Sequence, residues 1–517
     1  MSSILTNTSA MVALQTLKQV NMNLQGVQSE ISTGKSISSA KDNSAVWAIS
    51  KVMESDVKGF NAISESLALG ESTVAVARNA SETVTDLLVQ MKEKIVGAQE
   101  ENVDRAKLQN DITALTDQIS SVVGAAQFNG LNLLQGTDDM NILSSLDRAS
   151  DGTVTASDIT VARQDLSFDA GVYGTGAALT GNITAVDGAG SLAGVAGTEF
   201  SSAANTMTVQ LAAVTAAASN TYNLQVAGET VTFTSDAAGN TADSVAAGIT
   251  AALNAAGIED ITATVSTDTI TISSTSKFDD VEVNLSTTDS TATANVNGAG
   301  AGGAGAGFTG ESIAARASTM TFSNTAGVSE GDGYRVSIGG VTYDYVAGKN
   351  ETFEDVARGL KTVIDGAAVA GISTKVTQDE ATGSWVLQLD NDSATDLALT
   401  GDGAAGGEAT GGLVGLDDID VTTDEGVEAA LANIETMIDN SIDAAAEFGS
   451  AQGRIETQSD FISKLTDSLK AGIGSLVDAD MEEASARLQA LQVQQQLATQ
   501  SLSIANQAPQ NVLSLFR

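Results

Sequence analysis

The stretch "AMVALQTLKQVNMNLQGVQSEI" (10–31) sets Ala10, Ala13, Leu17, Val20, Leu24, Val27 and Ile31 at alternating spacings of three and four. An apolar residue every 3.5 positions or so, about two per heptad, is the seam of a coiled coil. The run ends at "STGKSISS" (32–39), where Gly34 suits a helix C-cap. A second run, Phe60, Ile63, Leu67, Gly70, Val74, Ala77, Ser81, Val84, Leu88, Met91 and Ile95, keeps the same spacing along a long helix. A third, Ile112, Leu115, Ile119 and Val122, leads into "QFNGLNLLQG" (127–136), whose Asn129-Gly130 reads as a tight turn.

The C-terminal part answers in the same pattern. Val427, Leu431, Ile434, Ile438, Ala445, Phe448, Ile455, Ile462 and Leu469 share one lattice, with Ser441, Gln452, Ser459 and Thr466 as its weak positions. Met481, Ala484, Leu488, Leu491, Gln495, Ala498, Leu502 and Ala505 form another. Pro509 follows this last run, where it is expected to stop the helix. The chain then finishes on Val512, Leu513, Leu515 and Phe516, an apolar tail that something must bury. The inner runs read as intramolecular bundle helices. Pairing the two outermost runs with each other leaves their outer faces to be explained.

Composition narrows the chemistry. There is no Cys and no His, which excludes thiol catalysis, histidine general bases and standard zinc or haem sites. The net charge of −41 disfavours nucleic acid and anionic membranes. No stretch reaches the roughly 18 apolar residues of a membrane span. The N-terminus lacks the basic region and cleavage site of a secretory signal. No cofactor, metal or catalytic residue is expected, and carboxylate pairs such as Asp478 and Asp480, or Glu482 and Glu483, read as solvated helix charge.

Between about residues 140 and 410, short alternating runs of Thr, Val, Ile and Tyr bounded by Gly, Asp and Asn read as strands. An internal repeat lies there. "TYNLQVAGETVTFTSD" (221–236) matches "GYRVSIGGVTYDYVAG" (333–348), with Tyr222 over Tyr334 and Gly228 over Gly340. A short amphipathic helix follows in each copy, then a second hairpin, so each unit reads as a small α+β module. "NGAGAGGAGAG" (297–307) reads as a flexible spacer between the copies.

Helical ends around a variable β-rich insert resemble bacterial flagellin. The residues that carry the resemblance are "ISTGKSISSAKDNSAVWAIS" (31–50), "AQFNGLNLL" (126–134) and "SIANQAPQNVLSLFR" (503–517). The opening "SSILTNTSAMVALQTL" and Trp47 are most similar to alphaproteobacterial flagellins. The fold expected is therefore multi-domain α+β. Long discontinuous terminal coiled-coil helices form the core domains, around a β-rich outer region of two repeated modules. Boundaries are expected at 1–45 (core helix and turn), 46–140 (inner helices), 141–200 (β-rich connection), 201–296 (outer module 1), 297–307 (linker), 308–410 (outer module 2), 411–470 (inner helices) and 471–517 (core helix and tail).

The resemblance implies export through the flagellar type III apparatus with a chaperone. Homopolymerisation into the extracellular filament then follows, beside filament cap and hook-associated proteins. The subunit interface is expected at Leu17, Val20, Leu24, Val27, Ile31, Leu488, Leu491, Leu502, Val512, Leu513, Leu515 and Phe516. Terminal helices without a local partner are expected to be disordered in the monomer. The alternatives are a hook–filament junction protein and a surface adhesin using the outer modules.

Two motifs are decoys. Gly34-Lys35-Ser36 ends a phosphate-loop pattern, but Ser29 stands where its first Gly belongs. A helix-to-helix turn with Ser39 and Asp42 as a capping box is expected instead. "DRASDGTVTASD" (147–158) places Asp147, Asp151, Gly152, Thr153, Thr155 and Asp158 on calcium-loop positions, against Ala149 and the missing Glu. A Gly-turn before a capped helix is the alternative, and calcium binding stays open.

Overall fold

The computed structural model describes residues 7–514, apart from 101, 137, 150–152, 187–188, 191–197, 216–218, 237–240, 301–304 and 306. The chain begins with three helices, α1 (Thr8–Thr33), α2 (Ser44–Gly97) and α3 (Arg105–Ala125). Short strands β1 (Gln127–Phe128) and β2 (Leu131–Asn132) follow, then the hairpin β3 (Met140–Arg148) and β4 (Val154–Val161). The outer region opens with β5 (Ile183–Val186), β6 (Ala189–Gly190), β7 (Thr198–Phe200), β8 (Asn205–Ala212), β9 (Thr221–Val226) and β10 (Glu229–Thr234). After α4 (Ala242–Ala256) come β11 (Ile261–Ser266), β12 (Thr269–Ser274), β13 (Val281–Thr287), β14 (Thr293–Val296), β15 (Ala299–Gly300) and β16 (Phe308–Ile313). The second copy runs through β17 (Ser318–Phe322), β18 (Gly333–Ile338), β19 (Val341–Val346), α5 (Phe353–Gly366), β20 (Ile372–Gln378), β21 (Trp385–Asn391) and β22 (Leu397–Ala404). Two helices close the chain, α6 (Asp424–Val477) and α7 (Met481–Ser514). Long terminal helices thus flank a β-rich insert, the α+β class the sequence implies.

The chain divides into two compact units. One holds residues 1–75, 140–161 and 449–517, and the other residues 76–139 and 162–448. In the first, the β3–β4 hairpin lies on α2 and α6. Gly70, a seam position of α2, is where it seats: a Cβ there would lie 2.4 Å from Ile142 Cδ1. A mid-helix Gly costs about 1 kcal/mol against Ala, so it marks a steric need. Gln458 Nε2 donates to Ser144 O at 2.8 Å and Arg148 pairs with Asp56 at 2.6 Å, fixing β3 at its middle and at its turn end.

This hairpin corrects the reading of residues 147–158. Val154 to Val161 is rich in β-branched residues and forms a strand, where a capped helix was the alternative to a calcium loop. Asp147 faces Thr155, while Asp158 faces Leu143, four residues along the partner strand. At about 3.3 Å per residue that separates the positions of Asp147 and Asp158 by roughly 13 Å, too far for these two to share an ion, while Asp151 and Gly152 lie outside the described residues. Among the described residues no group of three or more Asp or Glu is placed to hold a metal.

In the second unit, Val84, Leu88, Met91 and Ile95 of α2 are fully buried, with Ile434 and Phe448 of α6. The weak position Ser441 is fully buried too, its hydroxyl 3.1 Å from Ser81 O and 2.9 Å from Thr85 Oγ1, so a polar pin crosses the helix pair. Asn129 and Gly130 have φ of 52° and 82°, the two left-handed residues of the tight β1–β2 turn.

The outer modules are nested, a departure from the expected boundaries. Module 1 has two antiparallel sheets, ordered β10-β9-β13-β16 and β11-β12-β8-β14-β15, with α4 packed on them. Module 2 repeats this plan as β19-β18-β22-β7 and β20-β21-β17-β5-β6, with α5. The place that β16 takes in module 1 is filled in module 2 by β7, and that of β14 and β15 by β5 and β6. The strands β5, β6 and β7, in a stretch read as a connection, are therefore the first strands of module 2. Ile183, Val186 and Phe200 lie in its core. Conversely, Phe308 and Ile313, read as module 2, are buried in module 1. The expected spacer also turns out to hold structure: Asn297-Gly298 turns β14 into β15, and Gly305 and Gly307 approach backbone within 3 Å of where a Cβ would stand. Module 1 is thus inserted between β7 and β17 of module 2.

Its two ends meet at the insertion point. Asn205 Nδ2 donates to Ala314 O at 3.0 Å and Ala315 O at 2.9 Å. Arg316, next in the chain, places a bidentate pair on the fully buried Asp390, at 2.8 and 2.7 Å. In both modules a helix Gly lies under an aromatic ring of the first hairpin: Gly248 under Phe233 and Gly359 under Tyr345.

Candidate assembly interface

In the first unit α1 and α7, from opposite ends of the sequence, pack on one another. The turn after α1 sets their start. Gly34 takes φ 67° as the C-cap, and the Lys35 backbone pairs with that of Asp478 in the α6–α7 turn as an isolated antiparallel β-bridge. Ser36 N donates to Val477 O at 2.7 Å and Ala479 N to Gly34 O at 3.0 Å. The segment "STGKS" is therefore a helix-to-helix turn clipped to a second one. Asp42 does not form the expected capping box. Its Oδ2 accepts from the Ser38 and Ser39 amides within the turn, which holds its carboxyl below the usual range, and Asn43 caps α2 instead. Lys51, and behind it Lys35, lowers the Glu54 carboxyl beside this turn. Asp478 and Asp480, read as helix charge, lie between helices, where Asp480 caps α7 through the Glu482 and Glu483 amides.

The α7 seam is expressed from Ala484 onward, while Met481, read as its first position, is 46% exposed. From residue 482 to 507, Ala484, Leu488, Leu491, Gln495, Ala498, Leu502 and Ala505 are buried or half-buried and every other residue is exposed. On α1, Val20 and Val27 are buried and Leu17, Leu24 and Ile31 half-buried. These residues face the partner helix of the same chain, which corrects the premise that the terminal seams lack a local partner. Val512 and Leu513 fall in the last turn of α7, and Leu515 and Phe516 lie outside the described residues. Pro509 does not stop α7 either, since the helix runs on to Ser514.

The outer faces are apolar as well. Met11, Val12, Leu14 and Met22 on α1, and Val493, Leu497 and Ile504 on α7, are 44–68% exposed. At about 100° per residue, Val493, Leu497 and Ile504 sit opposite the α7 seam, and Met11 and Met22 opposite that of α1. Sequence reasoning passed over these residues because they break the 3-4 lattice. Their signal was apolar side chains on the face a surface helix keeps polar.

Charge sharpens the contrast. Lys18 and Glu30 are the charges of α1, and Glu482, Glu483 and Arg487 those of α7. Two cations stand against three anions on these helices, in a chain that carries −41. A near-neutral, apolar helix pair on a strongly acidic molecule carries little of the like-charge repulsion that the rest of the chain would meet.

The bacterial flagellin N-terminal helical region matches residues 4–139, and the bacterial flagellin C-terminal helical region residues 431–516. Flagellin A of Rhizobium meliloti is 32% identical over 517 residues, covering all of both chains, and a Flagellin B of the same organism is 31% identical over 518. Among solved structures, flagellar hook associated protein-3 from Legionella pneumophila aligns over 82% of this chain and 98% of its own, at 9% identity and a TM-score of 0.32. That likeness is too loose to carry an argument.

Proposed function

The chain belongs to the bacterial flagellin family, structural subunits of the flagellar filament, and from that premise we propose how its copies join. The α1–α7 seam closes within each subunit, and neighbouring subunits meet across the outer faces at Met11, Val12, Leu14, Met22, Val493, Leu497 and Ile504. The observation that carries this is their exposure on a nearly uncharged helix pair. Covering one Leu or Val is worth about 1.5–3 kcal/mol, repeated at every contact along a filament. Burial of Val512, Leu513, Leu515 and Phe516 by neighbouring copies belongs to the same proposal. The role is structural, with no reaction assigned to the chain. Export by the flagellar apparatus with a chaperone, assembly outside the cell, and contact with cap and hook-associated proteins complete the reading.

The test is in vitro polymerisation of purified subunits, followed by sedimentation and electron microscopy. Val493→Glu with Leu497→Glu should abolish filaments while circular dichroism of the monomer stays unchanged. Filaments of normal yield from the double variant would overturn this interface.

A further inference from the structure

Pro509 lies inside α7 rather than after it. A proline in a helix interior has no N–H to return to the carbonyl four residues back, here that of Ala505. That carbonyl accepts a hydrogen bond from elsewhere: Asn7 Nδ2, at 2.8 Å, from the other end of the sequence. The same Asn7 amide group caps α1, its Oδ1 accepting from Ala10 N at 3.0 Å. One side chain thus satisfies an amide that α1 leaves open and a carbonyl that Pro509 leaves open in α7.

We infer that Asn7 and Pro509 form a clasp that sets the register of α1 against α7, and so the pattern of outer-face residues offered to the next subunit. This rests on the filament reading above. The α1 seam itself discriminates poorly, because a slip by one heptad sets Leu24 where Leu17 stood and Val27 where Val20 stood. Polar groups are what such a slip penalises. It would leave the Ala505 carbonyl without its donor. It would also break the half-buried Gln495 Nε2 to Asn21 Oδ1 bond of 2.8 Å, a second polar pin on the seam. Asn7 acts here as a positioning residue, through Ala505 and Pro509.

Because capping and clasping use different atoms, they can be separated. Asn7→Asp keeps an oxygen for the Ala10 amide, and Asp caps helices as well as Asn, but it removes the donor to Ala505. Pro509→Ala restores an N–H to the same carbonyl. Critical concentration for polymerisation is measured on full-length unmutated chain, N7D, P509A and the N7D/P509A double variant, with amide exchange of α1 and α7 read on the same four proteins. N7D alone should raise the critical concentration about tenfold, the effect of one unsatisfied carbonyl, and speed exchange at both helices. In the P509A background the same substitution should change either quantity less than twofold. Equal effects of N7D in both backgrounds would show a role in capping only and overturn the clasp, as would no effect in either. Failure of the unmutated chain to polymerise would instead sink the filament reading, leaving the exchange pattern to judge the clasp.

Discussion

Phe200 tests the nesting of the outer modules more directly than any deletion. It lies five residues before module 1 in the sequence, yet its ring is fully buried in the core of module 2, beside strands more than a hundred residues later. Truncating a buried Phe to Ala costs about 3–5 kcal/mol through lost burial and the cavity left behind. Domains of this size are stable by roughly 5–15 kcal/mol, so the loss is a large part of the total. Hydrogen exchange read by mass spectrometry on the full-length chain locates it. Amides of 333–404 that exchange only through opening of module 2 should speed up roughly a hundredfold or more, while those of 205–296 stay within a few-fold. Phe308→Ala should do the reverse, since Phe308 lies in the core of module 1 although it follows the Gly-rich segment. If Phe200→Ala loosens 205–296 and spares 333–404, the modules are consecutive and the nesting is wrong.

Three further outcomes follow from the same geometry. Gly359→Ala sets a Cβ 2.2 Å from the Tyr345 ring, and should lower the stability of module 2 by about 1–3 kcal/mol in denaturant unfolding, as overpacking does. Glu351, whose Oε2 accepts from Tyr345 Oη at 2.9 Å, has its carboxyl pushed up to about 7, chiefly by burial. The native state therefore binds a proton that the unfolded chain releases near pH 4.5, so module 2 should lose stability as pH rises from about 4.5 to about 7, and Glu351→Gln should flatten that slope in melting curves. Deleting residues 509–517 removes the apolar tail and the last turn of α7, and should leave export intact while no filaments form, as seen by immunoblot of culture medium and by microscopy.

Removing the outer region is a matter of where to cut. Excising 205–314 with a two-residue Gly joint should leave module 2 whole, because Asn205 reaches the Ala314 and Ala315 carbonyls. Excising 308–410 should unfold both modules, since it takes β16 from one and nearly all of the other. Urea unfolding of the two products distinguishes them. A stable product from the second cut would contradict the strand assignments.

Periodicity alone determined the long helices, because a seam repeating every three or four residues has one structural meaning over this length. The positions on the α7 seam could be listed from the sequence, and Gly34 and Asn129-Gly130 announced their turns through the left-handed backbone only such residues take readily. The repeat of Tyr222 in Tyr334 likewise showed that the middle holds two copies of one module. Tertiary structure decided which surfaces those elements bury. A seam specifies that a helix needs a partner but not which one, so the pairing of α1 with α7 set Met11, Leu497 and Ile504 outward. Pro509 reads as a stop because its local effect is to remove a hydrogen bond. Only the arrival of Asn7 from some five hundred residues away supplies another. Strand pairing is non-local in the same sense: nothing in "TEF" (198–200) says whether it joins the sheet before it or the one that forms after module 1 has been threaded through.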